Sequence, residues 1–154
     1  DNVHYLEHES IELFGYKIFG SPYVPPLKDW AFSSLRGPDR LLKWQQIPDD
    51  VDLLVTHTPP KGLMDGGHVG CEHLLNELPR INPLYHIFGH VHEGYGRAAL
   101  EGKDGRQITL INAANCDGSY QIANGAQKFE LPVRGAGLPE GGANSVWFGV
   151  DVRK

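Results

Sequence analysis

The sequence predicts an α/β fold built around a single βαβ unit, with further antiparallel strands on either side of it. Three observations predict it. Residues 51–56 (Val-Asp-Leu-Leu-Val-Thr) form a compact, largely apolar run of strand length, as expected of a strand buried on both faces. Residues 84–88 (Leu-Tyr-His-Ile-Phe) form a second such run. Between them Cys71, Leu74, Leu75 and Leu78 recur at i, i+3, i+4 and i+7, the spacing of one helix face. Strand, helix and strand at these lengths make the two strands parallel, joined by a right-handed crossover.

The remaining elements follow in chain order. Residues 3–7, 10–13 and 16–19 alternate in the manner of strands and suggest an antiparallel meander. The Pro-rich stretch 21–26 ends it. Pro38 stands at a favourable first helical position, which predicts a short helix that stops before Pro48. A loop with Pro59, Pro60, Gly62, Gly66 and Gly67 precedes the central helix, and Pro79 and Pro83 are expected to close that helix. Beyond Gly96, strands are expected at 108–113, 128–133 and 146–152, with a Gly- and Pro-rich loop over 134–145.

Composition narrows the function classes. The chain has 154 residues, the size of one ordinary domain, and its hydrophobic fraction of 40% supports a core. Its formal net charge is -5, and no basic stripe is visible, which argues against a nucleic-acid polymer as partner. An anionic ligand would have to be held by something other than a field of Lys and Arg, and metal ions are the natural candidate. No apolar run reaches membrane-spanning length, so no membrane partner is expected. Cys71 and Cys116 are too few for a disulfide scaffold and read as buried free thiols, which leans towards a cytoplasmic location. Met64 is the only methionine, so Asp1 is expected to follow a lost upstream segment.

Both strands of the βαβ unit run into histidine. His57 follows Thr56, and His90 and His92 follow Gly89. Ligands of open α/β sheets bind at the carboxyl ends of the strands, so three imidazoles are expected on one sheet edge. Neutral imidazole is the commonest metal ligand, and in an extended segment His90 and His92 would point the same way. The triplet alone is weak: with 8 histidines, His-x-His arises in roughly a third of shuffled chains. Its weight comes from two buried strands both ending in histidine. Other candidates have ordinary readings: His68 and His73 as surface residues, His86 as a packed core histidine, and His4 and His8 on a strand without a metal context. Lys28 and Lys61 read as solvated.

Thr56-His57-Thr58-Pro59-Pro60, followed by Phe88-Gly89-His90-Val91-His92-Glu93-Gly94-Tyr95-Gly96, resembles the last two motifs of the calcineurin-like metallophosphoesterases. Val69-Gly70-Cys71 and Ile111-Asn112-Ala113 through Cys116 are similar to a narrower group, the metallophosphoesterase-domain proteins related to class III cyclic-nucleotide phosphodiesterases. The resemblance runs from about Ser10 to Val133, more strongly after Val51. It implies a four-layer αββα sandwich, of which residues 1–154 are the C-terminal part of one domain. It further implies two divalent or transition metal ions (Mn, Fe, Zn or similar) bridged by an Asp and a hydroxide that attacks phosphorus in line. By motif position His57 and His90 would bind the second metal and His92 the first. Glu93 and Tyr95 would stand beside the site, in either a catalytic or a supporting role. Tyr23 and Trp30 would approach the pocket lip, for base stacking or core packing.

The family's earlier motifs, Asp-x-His, Gly-Asp and Gly-Asn-His, are absent; Asp1 with His4, and Asp65 with His68, do not match them. No catalytic residue is therefore assigned within the chain. The expectation is a metal-dependent phosphodiesterase or phosphatase acting, in the complete enzyme, on a small phosphoester such as a nucleotide. The alternative is a catalytically incomplete fragment that binds metal, or pairs with its N-terminal half or a second copy.

Overall fold

A computed structural model of the chain describes residues 3–26, 30–33, 38–67 and 69–132. Its centre is one mixed six-stranded sheet in the order β1-β2-β3-β4-β6-β5. The strands are β1 (Glu9–Leu13), β2 (Tyr16–Ser21), β3 (Leu53–Thr56), β4 (Tyr85–Phe88), β5 (Gly96–Glu101) and β6 (Gln107–Asn112). β2, β3, β4 and β6 run parallel, while β1 and β5 are antiparallel edges. The α/β class and the parallel β3–β4 pair agree with the sequence reading; antiparallel strands are present, but only at the edges, since β2 and β6 on either side of the pair run parallel to it.

Two helices, α1 (Pro38–Gln45) and α2 (Glu72–Ile81), share a core with one face of the sheet. Leu74, Leu78 and Ile81 of α2 pack with Trp44, Phe19, Leu54, Phe88 and Leu110, all buried. The Trp44 Nε1–H donates to Cys71 Sγ at 3.2 Å, so this buried indole has its partner. The opposite sheet face gathers Tyr16, Ile18, Leu53, Ile87 and Ile111 under Phe129.

Four local expectations need correction. Pro79 does not close the helix; it lies inside α2, which runs on to Ile81. A proline forfeits one helical bond, and termination comes instead from Asn82 in the left-handed region, whose N–H donates to the Leu78 carbonyl at 2.7 Å. Residues 3–7 form no strand, because Leu6 folds onto Gly20 and His8 turns the chain at φ 63. The meander is therefore a hairpin. Over 128–132 there is likewise no strand but a strap, tied by Tyr85 Oη to the Glu130 carbonyl (2.8 Å) and by the Arg97 guanidinium to the Lys128 carbonyl. β5 was not expected, since Gly-Arg-Ala-Ala-Leu-Glu has weak strand propensity; its full register with β6 makes it a strand. The predicted loop 134–145, the strand 146–152, Lys28 and His68 lie outside the described residues.

Both cysteines are free, as expected, although only Cys71 is buried and Cys116 is half-buried. No helix of the described residues is long and apolar enough to cross a membrane.

Candidate metal centre

The parallel strands deliver their carboxyl ends to one edge. β3 ends at Thr56 and β4 at Phe88, so His57 and the Gly89–His92 segment leave the sheet side by side. Gly89 N–H donates to the His57 carbonyl at 3.3 Å, which carries the pairing one step past the strands. The His57 and His90 rings stand 4.7 Å apart between centroids. Burial lowers the pKa of His57 to about 4, with the neighbouring His90 adding to the effect. Burial likewise lowers His90, helped by His92. Both rings are thus neutral at pH 7, the form that binds a metal.

His90 and His92 do not lie in an extended segment. The Val91 N–H donates to the Gly89 carbonyl at 2.7 Å, a three-residue turn centred on His90 at φ 65. A non-glycine residue at this φ carries strain of about 1–3 kcal/mol, and such strain concentrates at ligand-holding positions. His92 opens a short 3-10 turn, His92–Gly94. Its Nδ1 lies 2.6 Å from the Asp117 carbonyl oxygen, and its ring meets Tyr120 edge-on at 5.3 Å. Trp30, largely exposed, sits edge-on to His90 at 5.5 Å. The loop that carries Trp30 does reach the site, whereas Tyr23 packs on His8 and under the Lys43 ammonium.

The sequence did not reveal what braces this edge. Asn112, fully buried at the end of β6, donates through Nδ2 to the Val91 carbonyl (2.9 Å) and the Met64 carbonyl (3.0 Å). Its Oδ1 accepts the Ala114 N–H at 3.0 Å. One amide therefore joins the His90–His92 turn, the loop after His57 and the exit of β6. Gly94 lets the loops meet, since a Cβ there would collide with the Met64 carbonyl oxygen. The buried Asp65 carboxylate accepts the N–H groups of Gly62 (2.7 Å) and Gly70 (3.0 Å), closing the loop after His57 on itself. An Asn at the end of an apolar strand and an Asp amid glycines are faint signals, because their partners are backbone groups that no residue type marks out.

The other candidates divide clearly. Tyr95 Oη donates to the Gly125 carbonyl at 2.9 Å, and Lys61 is paired with Glu72 at 2.7 Å. Glu93 is exposed and His4 is exposed; His73 is half-buried on α2. His86 is wholly buried inside β4, as expected. Among the described residues no group of three or more His, Cys, Asp or Glu side chains gathers closely enough to hold a metal ion. The fit of a metal to the edge therefore rests on the donor type, two adjacent neutral imidazoles.

No family model matches the chain. It is 43% identical over 137 residues to a UPF0046 protein of Caenorhabditis elegans, covering 86% of this chain and 33% of that protein. It is 41% identical, again over 137 residues, to metallophosphoesterase domain-containing protein 1 of Homo sapiens, covering 85% of this chain and 40% of that one. The chain thus spans less than half the length of these relatives. A solved structure at 18% identity superposes with a TM-score of 0.50 over 71% of this chain and 45% of that chain, a likeness of fold.

Proposed function

Because the chain belongs with the metallophosphoesterase-domain proteins over the stretch it shares with them, we propose that it supplies part of a divalent-metal centre for hydrolysis of small phosphoesters. The observation that carries the reading is the pairing of His57 and His90, 4.7 Å apart between centroids and both held neutral, at adjacent parallel strand ends. Bound divalent ions would neutralise phosphate oxygens and activate water for in-line attack.

The chain's own residues have definable tasks in that chemistry. His57 and His90 offer ring nitrogens from two different strands, so the spacing between them is set by a hydrogen-bonded ladder. His92, at the start of the next turn, does not gather with these two among the described residues, and its ring nitrogen is assigned to the other ion of the pair. Trp30 stands beside His90 with the two rings perpendicular. Asn112 holds the turn that bears both His90 and His92. Trp30, exposed beside His90, also suits stacking against a planar leaving group, so a nucleotide is a reasonable phosphoester. Mn, Fe and Zn all accept an imidazole-rich set, and metal supply would choose among them.

A second reading is favoured by the incomplete ligand set among the described residues. In it the chain alone is inactive and binds metal only weakly, or completes its site by pairing with the N-terminal half or a second copy.

Metal content by plasma mass spectrometry and hydrolysis of an aryl phosphodiester test both readings together. The chain joined to its upstream half is expected to hold close to two ions and to turn over substrate. His57→Ala or His90→Ala is expected to lower the rate at least about 100-fold. An upstream-complete protein whose metal content and rate ignore both substitutions would end the metal reading.

A further inference from the structure

The turn that faces His92 is more elaborate than a surface connection requires. Asp117 Oδ1 accepts the N–H groups of Ser119 (2.8 Å) and Gln121 (3.0 Å). The Asp117 N–H donates to the Gln121 carbonyl at 2.9 Å, and the Tyr120 N–H donates back to the Asp117 carbonyl at 2.9 Å. Cys116 and Ile122 form an antiparallel bridge behind the turn. Its base is anchored to the end of β6, because Asn115 O accepts the N–H groups of Ala123 and Asn124 (both 3.0 Å) and Asn124 Nδ2 donates to the Ala114 carbonyl at 2.9 Å. Two products of this turn meet one side chain: the Asp117 carbonyl oxygen at His92 Nδ1, and the Tyr120 ring against the imidazole edge.

A carbonyl oxygen can only accept. At 2.6 Å, His92 Nδ1 must therefore carry a hydrogen and donate it, which in the neutral ring leaves Nε2 as the nitrogen with the free lone pair. We propose that Asp117 is a positioning residue that fixes the tautomer and plane of His92. Its side chain builds the turn, and its carbonyl holds the Nδ1–H. The proposal rests on the metal reading only for its purpose; the tautomer stands on the hydrogen bond itself. Neutral imidazole free in water favours the hydrogen on Nε2, so without the carbonyl the lone pair would usually face the wrong way for the site. Fixing the ring beforehand removes that loss from the cost of metal binding.

The test uses the full chain in metal-free buffer, with imidazole 15N–1H correlation spectra reading the tautomer of His92 and zinc titration reading affinity. The expected result is an Nδ1–H signature in the parent protein. Asp117→Ala, which removes the one oxygen that accepts both turn N–H groups, is expected to move His92 towards the Nε2–H form and to weaken zinc about 10–100-fold. Asp117→Asn keeps an acceptor oxygen and is expected to restore both. An Nε2–H signature in the parent overturns the proposal without any variant. So does an Asp117→Ala protein with parental tautomer and zinc affinity. If the tautomer shifts as expected while the parent binds no zinc, the positioning role stands and the metal reading fails.

Discussion

His86 shows how burial alone decides what a residue can do. It lies between strand neighbours on β4, fully buried, and its pKa is lowered from the ordinary 6.5 to about 3 by loss of hydration. Thr56 Oγ1 donates its hydrogen to the Thr58 carbonyl at 2.7 Å, so towards His86 Nε2, 2.8 Å away, it must accept. His86 Nε2 therefore bears the proton, and Nδ1 keeps a lone pair with no partner. This neutral ring ties β4 to the residue just before His57 and is no ligand. Its protonation favours the denatured chain. A group with its pKa lowered on folding contributes fully above its ordinary value and loses that contribution as pH falls from about 6.5 towards 3. His86 is expected to give a stability loss of about 1.4 kcal/mol per pH unit within that window. Urea melts from pH 7 to 4 check it: His86→Gln should show a shallower loss than the parent, and an unchanged slope would remove His86 as the cause.

Helix α2 illustrates a conflict between local and tertiary preferences. Pro79 has no N–H to offer the Leu75 carbonyl, and its ring crowds that oxygen. The helix continues because Leu78 and Ile81, on either side of the proline, are both fully buried against the sheet. Burying such side chains is worth about 1.5–3 kcal/mol each, enough to offset the lost bond. Pro79 is exposed, so Pro79→Ala is expected to restore the bond and raise stability by about 1 kcal/mol, net of the denatured chain's greater freedom. A shift of the urea midpoint to higher concentration at unchanged m-value checks this. The helix itself was legible from the spacing of Cys71, Leu74, Leu75 and Leu78. Its end was not, since a proline reads as a stop unless the packing beyond it is known. β5 failed for the opposite reason: Ala98 and Ala99 say little about strands, and pairing with β6 supplies what they lack.

For the whole molecule, the two sheet faces are covered differently. One carries both helices; the other is closed, among the described residues, mainly by Phe129 and Leu131 of the strap and by Leu6. Ile11, Leu13, Val55 and Ala113 on that face remain only half-buried. Phe129 is therefore expected to carry much of the second core. Phe129→Ala should cost about 3 kcal/mol, read from denaturant unfolding. A cost below about 1 kcal/mol would mean that the strap is not held in solution. The α/β class, the parallel pair and the meeting of His57 with His90 were determined by the sequence itself. Short buried strands have a local apolar signature, and parallel strands must present their ends at a common edge. The turn at His90, the Asn112 brace and the carbonyl aimed at His92 were decided only by tertiary structure. Each depends on a backbone oxygen or N–H whose partner lies far along the chain. Every residue carries such groups, so no residue type reveals which of them will meet.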